Sequence, residues 1–312
     1  MTRRIVYSIP LRTRFRGIDV REGVLIEGAA GWGEFSPFWD YDAAECAAWW
    51  QAAREAADLD FPTPVRDVVP VNATVPAVAP DRVADILNRF PGCTTAKVKV
   101  AERGQSPADD VARLEAVRDL LGSRGRVRID VNAAWDLDTA IRLLPLYDRA
   151  AGGLEYAEQP CAAVADLAGL RRRVDVPIAA DESIRRAEDP YEVARLEAAD
   201  VAVLKVQPLG GVRACLEIAE RIGMPVVVSS ALETSVGIAA GVALAAALPE
   251  LQYACGLATV GLLGADVVSE PLVARHGGIA VRRVSVDPEK AAASAATGAD
   301  TRRWDERIET VR

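Results

Sequence analysis

Short apolar, β-branched runs recur along the middle of this chain. Between them lie longer stretches in which apolar residues return every three or four positions. The runs cover residues 69–75, 95–100, 126–132, 154–160, 176–183, 201–207, 224–230 and 251–257. From the second run onward, equivalent points lie 23 to 31 residues apart. Strands at that interval with helical sequence between them predict βαβ units and a parallel sheet, an α/β fold. Eight such runs predict a closed (β/α)8 barrel in place of an open sheet. The repeat is one of length, since the units share no sequence signature.

The intervening stretches read as helices. Val111, Leu114, Val117, Leu120 and Leu121 hold one face over residues 108–121, and Asp136 is placed to cap a helix reaching residue 148. Residues 188–199 and 212–222 repeat the pattern, and Gly122, Gly153 and Gly223 stand where glycines end helices. Residues 236–248 are almost wholly apolar but too few to cross a bilayer, and they stop at Pro249. They predict a buried helix after the seventh strand.

Composition narrows the classes. At 312 residues and 33.3 kDa the chain can bury one large core and a smaller domain. A net charge of −8 makes nucleic acid and anionic membranes poor partners, and neither is expected. Residues 1–10 form a basic, strand-like run without the apolar core of a signal peptide. Five cysteines without a CxxC pair point to reduced thiols and a cytoplasmic protein. Cys46, Cys93, Cys161, Cys215 and Cys255 read as small core residues. The single histidine, His276, follows the last run, so histidine triads and histidine-ligated metals are excluded from the barrel.

The chemistry shows in the lysines. Of 37 Lys and Arg residues only four are lysine, and Lys97, Lys99 and Lys205 all fall in the strand runs. Arginine keeps its proton at any physiological pH, whereas lysine loses it when desolvated or set beside another cation. Strand alternation puts Lys97 and Lys99 on one face, opposite Val98 and Val100. It likewise sets Asp130 and Asn132 against Val127, Ile129 and Val131, and Lys205 and Gln207 against Leu204 and Val206. With Glu158 and Asp181, three acids and three lysines point inward near the C-terminal ends of successive strands, where barrel active sites gather. Three converging carboxylates repel one another unless a counter-charge joins them. A hard divalent cation meets that need, and Asp130, Glu158 and Asp181 suit Mg²⁺ or Mn²⁺. Lys99 and Lys205 would flank a substrate carboxylate there. Lys97 and the cation would depress Lys99 into the range of a general base.

These residues resemble the enolase superfamily, in its muconate-lactonizing subgroup. The resemblance rests on Lys97-Val98-Lys99, Asp130-Val131-Asn132, Glu158-Gln159-Pro160, Asp181-Glu182-Ser183 and Lys205, in that order on strands two to six. It implies a modified, TIM-type (β/α)7β barrel under an α+β capping domain. That cap would take residues 1–68 and a returning tail, 258–312, around a barrel of 69–257. Strands near 4–9, 20–27 and 31–35 and a helix over 43–59 fit such a cap, and the segment from Gly31 to Phe38 matches its GxGE motif. Residues 11–17 are expected to loop over the substrate, with Arg14 as the candidate contact, although Arg12, Arg14 and Arg16 taken singly read as solvated charges.

Within the subgroup the likeness extends to the short, actinobacterial form of the o-succinylbenzoate synthase family. It rests on the short cap, on residues 229–237 and 254–259, and on Leu262-Leu263 and Asp266-Val267-Val268. The implied reaction removes water from 2-succinyl-6-hydroxy-2,4-cyclohexadiene-1-carboxylate, a menaquinone precursor. Lys99 would serve as base and then acid, and Lys205 as the opposed cation against the ring. Lys97, Asn132, Ser229, Ser230 and Gly256 would contact the substrate, with Asp130, Glu158 and Asp181 holding the metal. The same lysines would also serve an N-succinylamino acid racemase, a dipeptide epimerase or a cycloisomerase. A sugar-acid dehydratase of the superfamily would need a histidine that this barrel lacks. A non-catalytic scaffold would have no use for the complete set. The sequence leaves open whether the chain is a monomer or a homo-oligomer.

Overall fold

The computed structural model describes residues 3–187 and 189–311. Met1, Thr2, Glu188 and Arg312, at the edges of the expected first strand, of the expected helix over 188–199 and of the tail, lie outside the described residues. The chain begins with an antiparallel sheet of β1 (Arg4–Phe15), β2 (Ile18–Gly28) and β3 (Gly31–Phe35), backed by α1 (Ala43–Asp58). Asp42 and Glu45 start α1 with a reciprocal capping box. A Cβ at Gly33 would stand 1.9 Å from the Ala53 carbonyl oxygen, so only glycine lets β3 lie against α1.

The barrel follows. Its elements in order are β4 (Val68–Pro70), β5 (Ala73–Val75), α2 (Val83–Leu87), β6 (Thr95–Lys99), α3 (Pro107–Leu121), β7 (Arg126–Asp130), α4 (Leu137–Ala151), β8 (Leu154–Glu158), α5 (Val164–Arg171), β9 (Ile178–Ala180), α6 (Glu182–Arg185), α7 (Glu192–Arg195), β10 (Val201–Lys205), α8 (Val212–Ile222), β11 (Val226–Ser229) and α9 (Ser235–Ala247). Strands β5 to β11 form one parallel sheet in sequence order. Asp136 caps α4 as its position suggests, while Gly152, one residue before the expected Gly153, takes the left-handed C-cap.

Three expectations need correction. Residues 251–257 are not a full eighth strand. Cys255 and Gly256 alone bridge the sheet edges, pairing with Val71 on one side and Ser229 on the other. Cys255 donates to the Pro70 carbonyl and Gly256 to that of Val228, so two residues join the ends of the curled sheet. The first run is divided too: β4 leaves the barrel to pair antiparallel with β12 (Gly278–Ala280). The helix over 188–199 shrinks to the single turn of α7. Pro190 cannot donate within a helix, and Glu197 turns left-handed at φ 49°.

The C-terminal part, with α10 (Pro288–Ala293) and α11 (Gly298–Glu309), lies against the first sheet. Tyr7 bridges to Ala295, and Trp304 packs edge-on against Phe35. One continuous apolar core joins this cap to the barrel. A second cluster of Tyr156, Ala179, Val201, Val203 and Val227 shares the inward strand face with Glu158 and Lys205 and fills the barrel beneath them.

Candidate active site

The sheet register brings the chemistry to one rim. Lys99 pairs with Asp130 across β6 and β7, Asp130 with Glu158 across β7 and β8, and Lys205 with Ser229 across β10 and β11. Asp130, Glu158, Lys205 and Ser229 are each the last residue of a strand, and Asp181 follows the end of β9. All are buried, as are Lys97 and Lys99. Lys97 donates to both oxygens of Glu158 at 2.9 Å. Lys99 donates to Asp130 at 2.5 Å and to the Asn132 side-chain oxygen at 2.6 Å. Lys205 donates to Asp181 at 2.5 Å. Lys99 and Lys205 stand four strands apart in the sheet and so face one another across the mouth.

The two lysines of β6 are tuned in opposite directions. Burial lowers Lys97, but Glu158 and Asp130 outweigh it and hold its ammonium charged. Burial also lowers Lys99, with help from Lys97 and Arg16, and here the Asp130 charge does not restore the ordinary value. Among the acids, burial raises Asp130, but Lys99 and Lys97 hold it well below the usual carboxylate range. Burial and the Asp130 charge push Glu158 up to about 7, against Lys97. Burial pushes Asp181 up to about 6, against Lys205.

Among the described residues no three acidic, histidine or cysteine side chains form a ready metal cage; Lys97 pairs with Glu158 and lies 3.3 Å from Asp130, Lys99 pairs with Asp130, and Lys205 pairs with Asp181. The donor set still suits a hard divalent cation. Three buried carboxylates on adjacent strand ends supply oxygens only, and two of them resist ionisation partly through mutual repulsion. A cation there would relieve that repulsion.

Gln159 fixes Asp181 from behind. Its carbonyl oxygen accepts the main-chain N–H of Asp181 at 2.8 Å and of Ser183 at 3.1 Å. Arg185 holds the other Asp181 oxygen at 2.8 Å, and it reaches Glu182 and the Tyr41 hydroxyl of the cap. Sequence reasoning passed over Arg185. Its only signal was the position four residues after Asp181, one helical turn away.

Phe15, Arg16, Phe38, Thr74, Leu232 and Thr259 line the cavity with the three lysines, Asp130, Asn132, Ser229, Ser230 and Gly256. Ser230 spends its hydroxyl on the Gly256 carbonyl at 2.7 Å, and Thr74 Oγ1 has no hydrogen-bond partner among the described residues. The free space is about 20 Å³. A larger groove of about 620 Å³ between α8 and the end of α9 carries only Glu220 and Glu250 as charged residues. The three lysines, Asp130 and Asn132 thus gather in the small cavity.

Arg14 is not there. Residues 11–15 continue β1 and do not form a loop, and Leu11, Thr13 and Phe15 alternate with outward Arg12 and Arg14. Arg14 pairs with Asp19 at 3.0 Å in solvent. The hairpin turn at Arg16 and Gly17 brings Arg16 into the cavity in its place.

Comparison with known proteins agrees with this layout. Residues 82–288 match the family model "Enolase C-terminal domain-like", and residues 6–57 match "Enolase N-terminal domain-like". The o-succinylbenzoate synthase of Thermobifida fusca is 70% identical over 92% of this chain and 89% of its own length. That of Mycolicibacterium smegmatis is 56% identical over 97% and 93%. Among solved structures, the muconate lactonizing enzyme of Pseudomonas fluorescens superposes with a TM-score of 0.82 at 24% identity, over 95% of this chain and 98% of that one. The L-Ala-D/L-Glu epimerase of Bacillus subtilis does so with 0.75 at 24%, over 92% and 96%. At that identity the two structures speak for the fold alone.

Proposed function

The chain belongs to the o-succinylbenzoate synthase family of the enolase superfamily, and we propose that Lys99, Lys205 and the three strand-end carboxylates perform the dehydration that this membership entails. The substrate is 2-succinyl-6-hydroxy-2,4-cyclohexadiene-1-carboxylate, the products are o-succinylbenzoate and water, and the step belongs to menaquinone synthesis. The observation that carries the assignment of roles is the pair of lysines facing one another across three buried carboxylates, one of them pressed toward its neutral amine.

Burial, Lys97 and Arg16 all favour neutral Lys99, and Asp130 is its main opponent. Asp130 is also one of the three carboxylates that would turn to a divalent cation. Lys99 is therefore suited to take the proton from the ring carbon that bears the carboxylate. The electrons of that C–H bond form the new ring double bond as the C–O bond to the neighbouring hydroxyl breaks. Lys99, now an ammonium on the same face, returns its proton to the departing oxygen, which leaves as water. Aromaticity of the product ring favours the elimination. Lys205, on the opposite face, keeps a positive charge against the ring as negative charge builds on the carboxylate.

Members of the superfamily use a divalent cation. Here Mg²⁺ would be held by Asp130, Glu158 and Asp181 and would supply positive charge for the substrate carboxylate. Lys97 holds Glu158, and Asn132 fixes Lys99 while bonding to Glu182 at 3.1 Å. Ser229, the Ser230 backbone and Gly256 shape the wall on the side of the seventh strand. The space of about 20 Å³ is large enough for a water and too small for the substrate. Five free cysteines support a reducing, cytoplasmic setting. Among the described residues no helix is long and apolar enough to cross a membrane.

The direct test is to add metal-loaded protein to the cyclohexadiene and follow loss of the diene absorbance. Absence of turnover with active-site metal present would remove this reading.

A further inference from the structure

We propose that Arg185 is a positioning residue: its one guanidinium sets the metal-side carboxylate Asp181 and, through Glu182 and Asn132, the base Lys99. This inference rests on the roles given above to Asp181 and Lys99.

Arg185 ends the single turn α6, four residues after Asp181 and three after Glu182. Both spacings lie on one helical face. Its three nitrogens go three ways. Nε donates to Asp181 Oδ1 at 2.8 Å, Nη2 to Glu182 Oε1 at 2.7 Å, and Nη1 to the Tyr41 hydroxyl. The side chain is buried. A lysine would bring a single nitrogen to that point, whereas the planar guanidinium fork spans all three acceptors.

From Glu182 the contacts run on to the base. Glu182 Oε1 also accepts the Asn132 side-chain N–H at 3.1 Å, and Asn132 Oδ1 accepts Lys99 at 2.6 Å. A carboxylate only accepts and the Lys99 N–H donates, so the Asn132 amide has one orientation between them. The other Glu182 oxygen is buried without a hydrogen-bond partner among the described residues. Arg185 makes the only ion pair of Glu182 among those residues, and without it the carboxylate would face an amide alone. A neutral Lys99 amine has two N–H bonds. Asp130 and Asn132 accept them at 2.5 and 2.6 Å, which leaves the lone pair for a substrate proton. Of these two acceptors, Asn132 is the one with no part in the metal set.

The hold on Asp181 is compatible with a cation. Lys205 takes Oδ2 and Arg185 takes Oδ1, so the first oxygen can turn to a metal while the second stays fixed. A plain tie between cap and barrel is already made by the next residue. Arg186 reaches Glu45 and Asp40 of the cap at 2.7 and 3.2 Å. Arg185 turns inward, and it takes only a hydroxyl from the cap.

The test uses Arg185→Met, which keeps the length and removes the fork. Arg185 does not line the cavity, so kcat for the cyclohexadiene at saturating Mg²⁺ should fall roughly 10–100-fold while KM stays within about threefold. Calorimetry should show Mg²⁺ binding weakened by a similar factor. A guanidinium acting only through its charge would repel the cation, and its removal would tighten Mg²⁺ binding. In a crystal structure of the variant with Mg²⁺, Lys99 should leave hydrogen-bond reach of Asn132. Adding Glu182→Gln to Arg185→Met should cost nothing further, because the two residues act in series. Lys99 in its wild-type place, unchanged or tighter Mg²⁺ binding, an unchanged kcat, or losses that multiply would each overturn the inference. If Arg185→Met fails to fold, Arg185→Lys decides by the same measures, with smaller changes expected. Should wild type fail to dehydrate the cyclohexadiene while the variant loses Mg²⁺ affinity and displaces Lys99, the dehydratase reading falls and the positioning stands. Should wild type dehydrate it while Mg²⁺ affinity and Lys99 stay unchanged in the variant, this inference falls alone.

Discussion

Glu34, on the third strand of the cap, accepts the main-chain N–H of Gly237 in the first turn of the barrel helix α9, at 3.1 Å. The same carboxylate accepts the Thr234 N–H and hydroxyl, the Tyr7 hydroxyl and the Ser36 hydroxyl. It is buried and acts as a capping anion supplied from another domain. Burial raises its pKa, while Thr234 and Arg21 push it back. Arg21 completes the joint by donating to the Leu232 carbonyl at 3.0 Å, where the chain turns left-handed at φ 65°. The cap thereby holds the loop after β11 that walls the active site.

This joint predicts a stability effect away from the chemistry. Glu34→Gln places an amide N–H₂ against main-chain N–H donors, leaving buried groups unmatched. Stability should fall by about 1–3 kcal/mol, with the urea midpoint lowered and the slope unchanged. KM should rise as well, since Leu232 lines the cavity. An unchanged midpoint would show that the joint is not energetically coupled.

Glu233 gives the joint a pH dependence. It is buried, accepts the Ala231 N–H at 2.7 Å, and faces Glu34 and Arg21. Burial, then the Glu34 charge, push it from the ordinary 4.5 up to about 7. An acid raised on folding binds more protons in the native than in the unfolded state, so its contribution weakens as pH rises. The loss should build between pH 4.5 and 7, reach at most about 3 kcal/mol, and stay level above that. Glu233→Gln, which keeps an acceptor for Ala231, should gain stability relative to wild type at pH 8 and not at pH 5. Parallel denaturation curves of the two proteins at both pH values would contradict the assignment.

The order of lysines and acids was legible because strand alternation depends on sequence parity alone. Val98 between Lys97 and Lys99 fixes the inward face whatever the tertiary structure does. The same rule, applied to Leu11, Thr13 and Phe15, would have sent Arg14 outward. Treating residues 11–17 as a loop concealed it. Two further misses have other causes. The single turn at α7 follows from Pro190 and the left-handed Glu197, which helical spacing alone does not weigh. The bonds from Arg185 to Tyr41 and from Glu34 to Gly237 span 144 and 203 residues, and no local pattern encodes such distances.

Metal dependence follows from the buried acids. Exhaustive chelation should abolish turnover, and Mg²⁺ or Mn²⁺ should restore it. Asp130→Asn, Glu158→Gln and Asp181→Asn should each lose most activity, because each removes one anionic oxygen donor. Each should also lose the rise in melting temperature that Mg²⁺ gives wild type. Full turnover after chelation would refute the donor set.

The two faces of the site separate a dehydratase from a racemase. Lys99→Ala removes the base that is also the acid, and it should cost roughly 10²–10⁴-fold or more in kcat. Lys99→Arg should be nearly as damaging, since a guanidinium does not release its proton. Lys205→Arg should be much milder if Lys205 serves only as a fixed charge across the ring. It should be as severe as Lys99→Arg if Lys205 must cycle its own proton. Deuterated solvent reads the same difference without mutation. A racemase exchanges the α-proton of an N-succinylamino acid through both lysines, whereas a dehydratase uses the face of Lys99. Exchange of that proton as fast as the cyclohexadiene is dehydrated would make racemisation the principal activity and Lys205 a second base.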